Sequence, residues 1–186
     1  MPCSWRRCRD SRVRTIDFSQ GGSGLIDISN CSVRLATEAD VPALHRLVRE
    51  AYREHIGRGL NFTGTYQDEG ITRERMEGND VYLVCQGSEI IATVTLGRDE
   101  EKDGVFGLYV TQLAVTPMLK RQGLGRLLLT LAEERGREQG AAFLRLDTAM
   151  PATHLVALYQ SEGYQVVDEV QWEGKAYKSC IMEKRL

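Results

Sequence analysis

The chain has 186 residues, 42% of them apolar and 27% charged, with 18 Gly and 4 Pro. Such a length and composition serve one buried core and exclude collagenous, disordered and disulfide-scaffold chains. The formal charge of −2 is uneven: residues 1–14 carry five arginines against Asp10, a balance of +4 that leaves −6 for the remainder, which is too acidic for a nucleic-acid-binding domain.

Residues 1–31 show no sustained period, and Ser19-Gln20-Gly21-Gly22-Ser23-Gly24 has linker composition, so they read as an N-terminal extension to a domain over 32–186. Their start, Trp5-Arg6-Arg7-Cys8-Arg9, lacks the apolar centre of a signal peptide, and the longest apolar run, Leu127 to Ala132, is far short of a membrane span. A cytoplasmic protein with no membrane and no nucleic-acid partner is expected. Cys3, Cys8, Cys31, Cys85 and Cys180 are odd in number and never in Cys-x-x-Cys spacing, so reduced thiols are expected rather than disulfides or a zinc site.

From Ser32 the pattern predicts a strand over Val33–Ala36. A helix follows, with Thr37 and Asp40 as alternative caps, Pro42 in its tolerant first turn, and an apolar stripe of Val41, Leu44, Val48, Ala51 and Tyr52. His55 to Asp80 reads as loop with a polar helical piece around Gly70–Glu77. The period then becomes two: Val81–Gln86 and Ile90–Gly97 form a hairpin about Gly87-Ser88-Glu89. Val105–Val115 is apolar on both faces and belongs in the middle of a sheet covered on both sides. A helix over Gly123–Gln139 follows, with Leu124, Leu127, Leu128, Leu131 and Ala132 as its stripe and Gly140 at its exit. Phe143–Thr148 is a strand, Pro151–Glu162 a helix closed by Gly163, and Tyr164–Val170 with Ala176–Glu183 a last hairpin.

The segment richest in chemistry is Leu113-Ala114-Val115-Thr116-Pro117 followed by Lys120-Arg121-Gln122-Gly123-Leu124-Gly125-Arg126. A buried strand runs into a Gly-containing loop at a helix start, where free N–H groups and the helix dipole suit a phosphate or pyrophosphate. Lys120, Arg121 and Arg126 add positive charge. The alternative, glycines serving only a tight turn, stays open on these residues alone. A dinucleotide fingerprint fails because Leu128 stands where Gly or Ala is needed, and the Gly-Lys-Ser/Thr of a P-loop is absent.

Over residues 33–186 the sequence resembles the GNAT superfamily of acetyl-CoA-dependent N-acyltransferases. The resemblance rests on Leu113-Ala114-Val115 with Pro117, on Arg121 to Arg126, and on Leu158-Tyr159-Gln160-Ser161-Glu162-Gly163-Tyr164. Lys120 stands where that family usually has Arg or Gln. The resemblance implies a single α/β domain (α+β in stricter schemes) with a central mixed, mostly antiparallel sheet of about six or seven strands flanked by about four helices. It implies acetyl-CoA as acyl donor, held by the Leu113, Ala114 and Val115 backbone and by the Lys120, Arg121, Gln122, Gly123, Leu124, Gly125 and Arg126 loop, with no metal. The gap for the pantetheine arm would open where the core strand splays from Phe143–Thr148, with a bulge near Gln112 to open it.

Amide formation on a thioester needs a neutral amine, a stabilised oxyanion and a proton for the leaving thiolate. The resemblance assigns the acid to Tyr159 and the oxyanion to the Val115 N–H; the alternative for Tyr159 is packing beside Leu155 and Leu158. No carboxylate stands on the core strand, which has Tyr109 and Gln112 instead, so Glu77, Asp80 and Asp147 are fallback bases. Ala152 and Thr153 stand where relatives often carry Asn. His45, His55 and His154 are too scattered for a metal or nucleophilic site.

The acceptor region implied is Tyr52–Glu69 with Val170–Tyr177, giving Phe62, Tyr66, Trp172 and Tyr177 as walls and Asp68, Glu69, Glu169 and Glu173 as acids, an anionic mouth for a cationic amine. The expected partners are acetyl-CoA and a primary amine, small molecule or protein, with a homodimer among the open assemblies. A non-catalytic acyl-CoA sensor on the same fold is the alternative function.

Overall fold

The structure is a computed structural model that describes residues 31–101 and 103–186. The expected extension therefore lies outside the described residues except for Cys31, which opens the first strand one residue ahead of the expected domain start.

Seven strands form one sheet: β1 (Cys31–Leu35), β2 (Asp80–Gln86), β3 (Glu89–Glu100), β4 (Phe106–Val115), β5 (Phe143–Ala149), β6 (Gln165–Val170) and β7 (Ser179–Arg185). Their order is β1-β2-β3-β4-β5-β7-β6. Every neighbouring pair is antiparallel except β4 and β5. Four helices flank it: α1 (Val41–Ile56), α2 (Glu69–Met76), α3 (Leu124–Gln139) and α4 (Thr153–Ser161).

Both faces of the sheet are covered, and the strands show it by alternation. In β2, Val81, Leu83 and Cys85 pack with Leu44, Val48 and Ala51 of α1. Tyr82 and Val84 join Leu128, Leu129 and Ala132 of α3 on the opposite face. Burying a leucine such as Leu128 or Leu129 contributes about 1.5–3 kcal/mol, which explains why the expected α3 stripe holds; Leu129 and Gly136 are also buried.

The start of α1 is tied to β1 through Asp40. Its carboxylate accepts from both Arg34 terminal nitrogens (2.7 and 2.6 Å), from Thr37 N–H (2.8 Å) and from Thr37 Oγ1 (2.9 Å). These bonds, the Arg34 contact foremost, hold the Asp40 pKa down at about 2.

Candidate active site

A bulge in β4 creates the site. Thr93 pairs with Ala114 but Thr95 pairs with Thr111, so β4 carries an extra residue between them. Gln112 there adopts φ 48°, a left-handed conformation that a non-glycine residue enters at a cost of about 1–2 kcal/mol. The extra residue flips the alternation. Before it, Leu108 and Val110 face the α3 side; after it, Val115 does, while Ala114 turns to α1.

Two further effects open the gap. β4 has already parted from its parallel neighbour where the bulge begins: among the described residues only Leu108 with Leu144 and Tyr109 with Arg145 are in register. Thr116 N–H donates to Ile91 O (2.9 Å), which makes 91/116 a hydrogen-bonded pair. The adjoining pair, Ala92 with Val115, is then the non-bonded kind, and the Val115 N–H and C=O point away from β3 toward the gap.

Gln67 holds the bulge in place. Fully buried, it donates from Nε2 to Gln112 Oε1 (3.3 Å) and to Thr72 Oγ1 (3.1 Å), linking the strand to the first turns of α2. Nothing in the local pattern marks Gln67, whose partners lie as far as 45 positions along the chain.

The gap widens into a cleft of about 980 Å³. Leu113, Ala114, Val115, Lys120, Arg121, Gly123, Gly125, Arg126 and Tyr159 line it, whereas Gln122 and Leu124 do not: Gln122 donates to Met118 O (3.2 Å) and Leu124 is buried in the core. The loop reaches α3 through left-handed residues at Arg121 (φ 63°) and Gly123 (φ 91°). Among the described residues no side chain caps α3, so the N–H groups of its first turn have neither an intrahelical nor a side-chain acceptor there. The loop's charges are partly engaged. Lys120 Nζ donates to Ala51 O (2.6 Å) and Glu54 (2.7 Å) on α1, and Arg126 pairs with Glu162 (3.0 Å), the residue that closes α4.

Tyr159 is 8% exposed and packs edge-on to Tyr164 at 6.1 Å. Burial, the largest influence, pushes its pKa well above the ordinary phenol value. No group in the chain hydrogen-bonds its hydroxyl among the described residues. Of the three fallback bases, Asp147 alone is on the cleft wall. Tyr109 Oη and Trp172 Nε1 donate to its two oxygens, each at 3.1 Å, and bridge β4, β5 and the 171–178 loop.

The acceptor side departs from expectation. Phe62, Trp172 and Tyr177 are wall residues as expected, but Tyr66 stands outside and holds Lys175 Nζ (3.1 Å). None of the four expected acids lines the cleft. Asp68 caps α2 by accepting from Ile71 N–H (2.8 Å), Glu69 pairs with Arg73, Glu169 with Lys178, and Glu173 is exposed. The cleft wall as a whole is cationic, with Arg58, Arg75, Lys120, Arg121, Arg126 and Lys175 against Glu54 and Asp147, and Lys120, Arg121 and Arg126 among them belong to the loop that opens α3.

His55 and His154, far apart in sequence, stack at 6.0 Å, and Arg58 donates to His154 Nδ1 (3.1 Å). Burial drives the His55 pKa down to about 4. No group of His, Cys, Asp or Glu among the described residues comes together as a metal site.

Comparison with known proteins adds to this geometry. A family model of the acetyltransferase (GNAT) family matches residues 41–164. The chain is 30% identical over 157 residues, 82% of its length and 94% of the relative's, to an S-(2-succino)cysteine N-acetyltransferase of Bacillus subtilis (strain 168). It is 27% identical over 146 residues, 76% of its length and 82% of the relative's, to an S-alkylcysteine N-acetyltransferase of the same organism. A GNAT family acetyltransferase from Elizabethkingia anophelis, solved with acetyl-CoA bound, shares the fold with a TM-score of 0.63 at 18% identity, covering 84% of this chain and 99% of that one.

Proposed function

The chain belongs to the acetyltransferase (GNAT) family and is an acetyl-CoA-dependent N-acetyltransferase; from that premise we propose that it transfers the acetyl group to the primary amine of a small molecule by direct attack in a ternary complex. The observation that carries this reading is the splay beyond the β4 bulge, where a backbone with unspent hydrogen-bonding groups faces a cleft that also holds Tyr159.

In this reading the pantetheine arm pairs with Leu113–Val115 as an added strand, and the pyrophosphate rests on the uncapped start of α3. The loop's N–H groups, including those of Gln122 and Leu124, and the Arg121 charge supply the contacts. Lys120 acts chiefly by fastening the loop to α1, given its bonds to Ala51 and Glu54. The amine lone pair attacks the thioester carbonyl, the new C–N bond forms, and the carbonyl electron pair moves to oxygen, where the Val115 N–H receives it. Collapse breaks the C–S bond, and Tyr159 gives its proton to the departing thiolate. Its raised pKa keeps the phenol protonated until that step. The proton lost by the amine passes to Asp147.

The named substrates of the two relatives, cysteine conjugates, support a small acceptor rather than a protein. The test is thiol release from acetyl-CoA across an amine panel that includes S-alkylcysteines. Release with at least one amine is expected; calorimetric binding of acetyl-CoA with no release from any amine overturns the reading. Tyr159→Phe is expected to lower kcat by about 10²-fold, and an unchanged kcat assigns Tyr159 to packing against Tyr164.

A further inference from the structure

Among the cations of the cleft wall, Arg75 and Arg121 have no hydrogen-bond or ion-pair partner among the described residues; Arg121 is exposed on the loop that opens α3, whereas Arg75 carries a buried nitrogen. Lys120 and Arg126 have carboxylate partners. Arg58 bonds His154, and Lys175 is held by Asn61 O, Thr63 Oγ1 and Tyr66 Oη. Arg75, in the last turn of α2, has no hydrogen bond or ion pair from its guanidinium among the described residues, and its Nε is buried without a partner. A buried charged donor left unsatisfied is among the costlier features a fold can carry, and it persists where a ligand supplies the acceptor.

Position adds to this. Arg75 belongs to the α2 side of the cleft, a wall to which Tyr52 of α1 also contributes, and not to the loop that opens α3. Asp147 lies on the same cleft wall, on β5, with each oxygen accepting a single bond. The unpaired guanidinium on α2 and the Asp147 carboxylate on β5, in a shared cleft, match a molecule that carries both an acid and an amine. A planar guanidinium binds a carboxylate through two parallel N–H···O bonds, which gives orientation as well as affinity.

We infer that the acceptor is an amine that also bears a carboxylate, and that Arg75 recognises this carboxylate while Asp147 faces the amine. The inference rests on the acetyltransferase reading of the same cleft and adds the substrate class and the residue that selects it.

The experiment compares two acceptors that differ only in the acid, S-methylcysteine and its decarboxylated counterpart S-methylcysteamine. The intact protein is expected to prefer the acid-bearing amine by about tenfold to a hundredfold in kcat/KM, the range of a charge-assisted contact. Arg75→Gln is expected to bring that ratio close to one through a raised KM, with Arg75→Lys intermediate. A ratio near one in the unaltered protein, or a ratio that survives Arg75→Gln, overturns the inference. Should neither amine be acetylated, the broader amine panel decides the acetyltransferase reading, and calorimetry decides this one separately. Titration of S-methylcysteine into protein saturated with coenzyme A is expected to give binding that S-methylcysteamine lacks and that Arg75→Gln removes; equal binding of the two overturns it.

Discussion

A Cβ built on Gly125 meets nothing closer than Leu113 and Leu158 side-chain carbons at 4.0 Å, so packing does not demand glycine there. Gly123 differs, because its φ of 91° is one that only glycine adopts without strain. Gly125→Ala is therefore expected to leave the melting temperature unchanged or slightly raised, since Ala favours a helix by about 0.4–1 kcal/mol. It is also expected to raise the KM for acetyl-CoA, because the added methyl enters the space in front of the loop; an unchanged KM means no ligand backbone approaches there. His55 makes a second residue-scale case. Its pKa falls from 6.5 to about 4 on folding, so the unfolded chain takes up the proton first as pH drops. Stability present above pH 6.5 is lost progressively down to pH 4, by an amount on the order of 3 kcal/mol. Asp40 acts lower, between 3.8 and about 2, where protonation removes its bonds to Arg34 and Thr37. Thermal melts from pH 8 to pH 4 should show the upper slope, and His55→Phe should flatten it; an unaltered slope would move the effect to other groups.

At the scale of elements, the β4 bulge does more than any single side chain. It reverses the facing of Leu113 to Val115, lies where one edge of the strand is already free of β5, and is held by Gln67 from the start of α2. Gln67→Ala is expected to cost about 1–3 kcal/mol, the penalty of leaving buried Gln112 without its partner, and to raise the KM for acetyl-CoA as the gap relaxes. Equilibrium urea unfolding alongside steady-state kinetics separates the two effects, and a stability loss with unaltered KM would confine Gln67 to packing. Element identity was largely legible in the sequence, because α1, α3 and the β2–β3 hairpin carry sustained periods and explicit turn residues. The bulge near Gln112 was legible only through family resemblance. A strand that is apolar on both faces gives no alternation whose break would betray an inserted residue. Gln67 was not legible at all, since a buried amide has the same local signature as an exposed one.

For the molecule as a whole, charge is segregated. The chain sums to −2, yet the cleft wall carries six Lys or Arg against two carboxylates. A concave cationic surface on an otherwise acidic body steers an anionic ligand, and salt screens that attraction within about 8 Å at physiological ionic strength. The KM for acetyl-CoA is expected to climb several-fold between about 0.05 and 0.5 M salt while kcat stays level; a flat KM would mean that the wall's charges do not act at a distance. By itself the sequence determined the order of strands and helices and the glycine loop at the head of α3, while Tyr159 as an acid candidate came through family resemblance. The order and the loop follow from local periodicity, turn chemistry and short contiguous motifs. Only the tertiary structure decided that the cleft wall is cationic and that Arg75 stands unpaired on it, that Asp147 rather than Glu77 or Asp80 reaches the cleft, and that His55 meets His154. Whether a charge is spent or free depends on which distant residues fold against it, and composition along the chain does not record that.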